Sequence, residues 1–204
     1  RLAAPVDLST ARLEMRYDRE WRPISLEVDG TLRGRPLIMR TAFAGGKAVT
    51  DLTQAGQQTQ KIDVVSADPV VLPNMFFCAY EALAMRLRGL TVPGELKAYI
   101  VPQVEIVMRV TASGSERIQT AGRAVPATRF ALTLENPGSP VQAEVWIDSD
   151  GRLLRFSVPA QGLDIAREDV AAVSSRVETM GRANDEQVRI PSAGFTLAAT
   201  VSKP

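Results

Sequence analysis

Apolar and polar residues alternate along most of this chain. Leu13, Met15 and Tyr17 share one side of a period-two segment whose other side carries Arg12, Glu14 and Arg16, the pattern of a half-buried strand. Ile24, Leu26 and Val28 repeat it against Ser25, Glu27 and Asp29, and Leu37, Met39, Thr41 and Phe43 begin the next apolar face. Asp29-Gly30 and Gly45-Gly46 are expected to turn the chain, because glycine accepts the positive φ that tight hairpins demand. Residues 54–60 (QAGQQTQ) hold no strong period and read as an edge strand or a loop before Ile62, Val64 and Val65 restore the apolar signal.

The alternation continues downstream. Leu96, Ala98 and Ile100 precede Val104, Ile106, Met108 and Val110, with Pro102 as a break between them. Ser113-Gly114 is expected to close a hairpin, and Ile118 to open a further strand. Phe130, Leu132 and Leu134, then Val141, Ala143, Val145 and Ile147, then Leu154, Phe156 and Val158, follow at strand spacing, separated by Asn136-Pro137-Gly138 and Asp148-Ser149-Asp150-Gly151. These segments together predict a long antiparallel meander.

One segment changes period. After Pro73, Asn74 can cap a helix on which Phe76, Phe77, Tyr80, Leu83, Ala84 and Leu87 recur on one face, with Gly89 as its stop. The expected fold is therefore mostly β: a strongly curved antiparallel sheet or incomplete barrel wrapped around one amphipathic helix at about 74–89. This helix either covers the sheet with its aromatic face or acts as a lid over an apolar cavity. In the second case Phe76, Phe77, Tyr80 and Leu83 touch the ligand. Domain organisation is read as a β domain over 1–170, a linker over 171–187 and a β-hairpin over 188–204.

Composition narrows the chemistry. With 45% hydrophobic residues, 23% charged residues and a formal charge of +1, the chain is apolar enough for a buried core and carries no excess charge for holding nucleic acid. No run is long and apolar enough for a spanning helix, since Val70 to Leu87 is interrupted by Pro73, Asn74, Glu81 and Arg86. Histidine is absent from all 204 residues, so neither a Ser-His-Asp nor a Cys-His nucleophile can be assembled from this chain. Its lone cysteine, Cys78, reads as a small hydrophobe, and no disulfide can form within the chain. The first residue is Arg, from which a missing upstream piece is expected.

Sharper signals fall short of a site. Asp148-Ser149-Asp150-Gly151 opens like a calcium loop but lacks its later ligands, and Glu168-Asp169 reads as solvated turn carboxylates. No metal ligand, catalytic residue or cofactor is assigned. Arg109, Arg129 and Arg155 protect strand surfaces unless they converge into an anion patch. Trp146, on the face opposite Val145 and Ile147, points outward and is either packed under a neighbouring element or part of a contact with another domain.

The last residues, EQVRIPSAGFTLAATVSKP, resemble the opening hairpin of secreted bacterial α/β-hydrolases. The segments RYDREWRPISLEVDG and VWIDSDGRLLRFSVPAQG resemble the β-rich regions that precede such hydrolase domains. They are more distantly similar to periplasmic β proteins of unknown function and to the lipoprotein-carrier family. The G-x-S-x-G elbow of the hydrolases is missing, so the resemblance implies a non-catalytic accessory or interaction domain with a hydrolase domain following in the same polypeptide. It also implies an extracytoplasmic location, periplasmic or secreted. The alternative it leaves open is a carrier for a lipid or other apolar small molecule held between sheet and helix.

Overall fold

The computed structural model describes residues 7–119 and 124–171, together with the backbone of 172–174, 185–192 and 195–202. Five strands form the first sheet as a simple meander: β1 (Leu8–Tyr17), β2 (Pro23–Leu32), β3 (Arg35–Ala44), β4 (Lys47–Gln54) and β5 (Gln57–Val64). Its two-residue loops Arg33-Gly34, Gly45-Gly46 and Ala55-Gly56 all have positive φ at both positions, the backbone whose twist matches paired strands. The polar 54–60 stretch thus splits between a hairpin turn and the exposed edge strand β5.

A second, seven-stranded sheet curls into a half-barrel. It contains β6 (Val70–Pro73), β7 (Gly94–Val101), β8 (Val104–Gln119), β9 (Ala124–Glu135), β10 (Val141–Ile147), β11 (Leu153–Val158) and β12 (Leu163–Ala166), in reverse spatial order from β12 to β6. The rod held in its concave face runs from Phe77 to Arg88, a 3-10 turn (Phe77–Tyr80) continuing into α1 (Glu81–Arg88). The fold is therefore mostly β with a curved sheet around a helix, as the periodicity predicts. A short α2 (Glu168–Ser174) follows β12. The terminal hairpin is present in the backbone as β13 (Asp185–Ser192) and β14 (Phe195–Ser202), which pair in unbroken register as a sheet of their own. Most of the 171–187 stretch lies outside the described residues.

Three features depart from the sequence-based expectation. The first is that β6 and β7 pair in parallel, with the helix as their crossover connection. Parallel strands lie buried on both faces and lose alternation, which is why Val70, Val71 and Leu72 form a continuous apolar run. Val70 and Leu72 face the helix, whereas Val71 faces the five-stranded sheet, and Ala98 and Tyr99 divide in the same way on β7.

The second concerns glycine. Gly30 lies inside β2, not in a turn, opposite the irregularity between Thr10 and Arg12. A Cβ at Gly30 would sit 2.3 Å from the Ser9 carbonyl oxygen, so the residue permits close backbone approach at a bulge. Likewise Ser113-Gly114 continues β8, because the extra residue near Thr111 shifts the pairing with β9 instead of reversing the chain. Gly30→Val is expected to push β1 away and cost about 1–3 kcal/mol, while Gly114→Ala, with open space around it, stays within about 0.5 kcal/mol of the parent. Urea midpoints of the two variants check the contrast; equal midpoints would refute it.

The third is the start of the helix. Asn74 does not cap it, since neither the 3-10 turn nor α1 has a side-chain cap, and the chain bends at Met75 with φ +68° before entering the rod. Phe76 consequently points away from the helix core into the five-stranded sheet's core. At the other end Gly89 is the C-cap in a right-handed conformation, its N–H donating to the Leu87 carbonyl.

Candidate functional site

The helix is packed, not merely placed. Leu83, Ala84 and Leu87 are wholly buried against Met108, Leu132 and Val145, and Tyr80 stands edge-on to Phe156 with ring centroids 5.2 Å apart. The helix flanks are tied polar group to polar group. Leu153 N–H donates to Glu81 at 2.9 Å, Arg88 donates to the Asp150 carbonyl at 3.0 Å, and Arg86 pairs with Asp68 at 2.9 Å. Arg88 also lies across Gly151, whose φ of +81° and missing Cβ leave room for it. The volume between rod and sheet is thus filled by side chains.

Of the four residues expected to form a lid, Phe77, Tyr80 and Leu83 stay together, Phe77 and Tyr80 with ring centroids 5.4 Å apart, while Phe76 departs. Tyr80 and Leu83 belong to the helix–sheet core, and Phe76 to the core of the other sheet. Phe77 alone of the four borders open space, a groove of about 310 Å³ shared with Cys78, Glu81, Leu153, Ile165, Ala166 and Arg167. This groove runs along the helix start and the end of the half-barrel. Cys78 is exposed there.

Trp146 does face outward from the half-barrel, but its own chain covers it, leaving 6% of its surface exposed. It packs with Val125, Ala127, Leu154 and Val170, the last from α2. Its indole N–H donates to Glu116 at 2.8 Å, and the guanidinium groups of Arg129 and Arg155 lie 5.9 and 4.9 Å from the ring centre, within cation–π range. Arg129 is paired with Glu144 and Arg155 with Asp164, so these two arginines converge on an aromatic ring already neutralised. The bond to Glu144 holds Arg129 above the usual guanidinium pKa. Arg109 stands apart, paired with Glu95 and Glu135. The predicted Asp148 turn is built as expected: Asp148 accepts from the N–H groups of Asp150 and Arg152, with Gly151 at positive φ.

A larger open basin lies elsewhere, at one end of the gap between the two sheets. Polar contacts bridge the two sheets toward the other end of that gap, from β5 and the residues after it. Asp63 accepts from the Tyr99 hydroxyl at 2.6 Å, Lys61 donates to the carbonyls of Pro102 and Gln103, and Glu105 accepts from Ser66. Deeper in the sheet, the buried Thr41 and Thr50 satisfy one another at 2.9 Å. Moving along β5 from Lys61 to Thr59 and Gln57, the seam ends. A basin of about 770 Å³ opens between the hairpin ends of the five-stranded sheet and Met75. Half-buried Leu32, Leu52 and Met75 line it, with Arg33, Arg35 and Gln54 around them. The sequence held a signal for this basin that the strand pattern alone did not single out: Arg35 shares the inward parity of Leu37 and Met39.

Comparison with known proteins adds no relative. No family, no curated protein and no solved structure matches the chain. Among the described residues no group of three or more metal-ligating side chains comes together, and no helix is long and apolar enough to cross a membrane.

Proposed function

We propose that the chain is a non-catalytic accessory or interaction domain of a larger extracytoplasmic α/β-hydrolase. The observation that carries this reading is the terminal ribbon: among the described residues β13 and β14 pair only with each other, eight residues against eight from Asp185↔Ser202 to Ser192↔Phe195. A lone two-stranded ribbon is marginal in water, so its in-register pairing fits a segment that continues into further structure. The absence of histidine is consistent with leaving the chemistry to that following domain. In this arrangement the half-barrel, stiffened by the helix and by the polar ties around it, presents surface rather than reactive groups. The test is the reading frame past Pro204 together with esterase assays. A continuation carrying G-x-S-x-G, with p-nitrophenyl butyrate turnover by the long product and none by residues 1–204, is the expected result. A stop codon at that point, or turnover by the 204 residues alone, would overturn the proposal.

A second reading, a binding module for an apolar molecule, is favoured by the groove beside Phe77, whose wall includes Leu153 and Ile165. Its volume lies at the small end of ligand pockets. Native mass spectrometry after gentle purification should then reveal a retained apolar mass that Phe77→Glu removes.

A further inference from the structure

The open end of the intersheet gap combines an apolar floor with a cationic rim. Its floor is apolar: Leu32, Leu52 and Met75 continue the core made by Leu26, Val28, Leu37 and Met39 without being fully covered. Its rim is cationic: Arg33 occupies the tight turn after β2, and Arg35 opens β3 on the same side as Leu37 and Met39. Neither guanidinium has a carboxylate or hydrogen-bond partner among the described residues, and no Asp or Glu lines the basin. This contrasts with Arg40, Arg86, Arg109, Arg129, Arg155 and Arg167, each of which stands against an acidic side chain.

Met75 adds an independent sign. Its φ of +68° is uncommon for a residue with a long side chain and is retained only where the surroundings over-determine it. Here the bend delivers the thioether to the basin floor while Phe76, the next residue, anchors the turn in the core. A flexible, polarisable side chain suits a surface that must fit a variable alkyl segment. Gln54 and Gln57 supply neutral donors beside the arginines.

We propose that this basin binds an anionic amphiphile, an alkyl chain on Leu32, Leu52 and Met75 with a carboxylate or phosphate head held by Arg33 and Arg35. Arginine is the side chain suited to both heads, because its planar fork meets their oxygens two at a time. The 770 Å³ of space lies within the range of ligand sites and exceeds what a bare anion needs. The inference is independent of the hydrolase reading and concerns a different place from the Phe77 groove.

The test is calorimetric titration of the 204-residue chain with dodecanoate and dodecyl phosphate below their micellar concentrations, dodecanol below its solubility limit, and inorganic phosphate. The expected result is saturable binding of the two charged amphiphiles, at least about tenfold tighter than dodecanol or inorganic phosphate and weakened by added salt. Arg33→Gln/Arg35→Gln should weaken dodecanoate about tenfold while leaving Tm and circular dichroism unchanged, since both side chains are exposed. Met75→Glu, which sets a like charge on the floor, should weaken it at least as much, and Phe77→Glu should leave it unaltered. Equal affinity for dodecanol would remove the role of the arginines. Equal affinity for inorganic phosphate would remove that of the floor. No saturable binding, or binding unchanged in the double variant, would overturn the proposal outright.

Discussion

Replacing Leu83 by Ala is expected to cost about 2–5 kcal/mol, the range for truncating a wholly buried leucine in a core that cannot collapse around the gap. Collapse is resisted here by the polar ties on both flanks of the rod, Glu81 to Leu153 on one side and Arg88 to Asp150 and Arg86 to Asp68 on the others. These fix the helix height above the sheet, so the space left by the isobutyl group cannot be closed by a small slide of α1. For a chain of this size the change corresponds to a fall in Tm of roughly 4–20 °C. Cys78→Ser, one turn earlier on the same rod and exposed, should move Tm by little. Thermal melts of the two variants side by side provide the check. A Leu83→Ala melt within a degree of the parent would show that the helix is not the central element of the core.

A second large effect is expected in alkali. All three tyrosines, Tyr17, Tyr80 and Tyr99, have hydroxyl pKa values raised above the ordinary phenol value, in each case chiefly by burial. The hydrogen bond to Asp63 and its negative charge raise Tyr99 further, whereas the charge of Arg86 partly opposes the shift at Tyr17. The folded chain therefore keeps protons that the unfolded chain releases above about pH 10. Stability is fully present below that pH and falls as pH rises toward the folded-state values, by up to about 1.4 kcal/mol per pH unit for each tyrosine. Tyrosinate absorbance should consequently appear together with loss of the β circular dichroism signal, in one step, with urea midpoints dropping steeply beyond about pH 10. A smooth phenol titration on an intact fold would contradict the burial that the structure assigns to these rings. Tyr99→Phe should flatten the dependence and, by removing one of the two partners of Asp63 and leaving it Lys61 at 3.0 Å, also lower stability at neutral pH.

The readability of this chain follows from how many neighbours each element has. Strands with one buried face, such as β3 with Leu37, Met39 and Thr41 buried, write their structure as alternation, and these were legible in the sequence. The helix was legible through the recurrence of Tyr80, Leu83, Ala84 and Leu87. What alternation cannot carry is a strand covered on both sides: Val70, Val71 and Leu72 on β6 look alike in the sequence but serve two cores. Nor can it distinguish a glycine that turns the chain from one that admits a neighbouring carbonyl, as Gly30 does for Ser9. The division into two sheets, which depends on such contacts, was therefore hidden. Site residues fared less well for a related reason. Phe76, Phe77 and Tyr80 are consecutive members of one apolar pattern, yet the bend at Met75 sends Phe76 to the core of the five-stranded sheet while Phe77 and Tyr80 stay together against Phe156. Trp146 was placed on the correct face, but its cover comes from Glu116, Arg129 and Arg155 on three other strands, which only register brings together.

The shared strands β6 and β7 carry a mechanical implication. Because Val71, Tyr99 and Val101 belong to one hydrophobic centre while Val70, Leu72 and Ala98 on the same two strands belong to the other, neither centre can be dismantled without stripping a wall from its neighbour. Heat should accordingly dissolve both in a single calorimetric peak, and a lesion placed in the meander should loosen amide protons beneath the helix, far from the altered side chain.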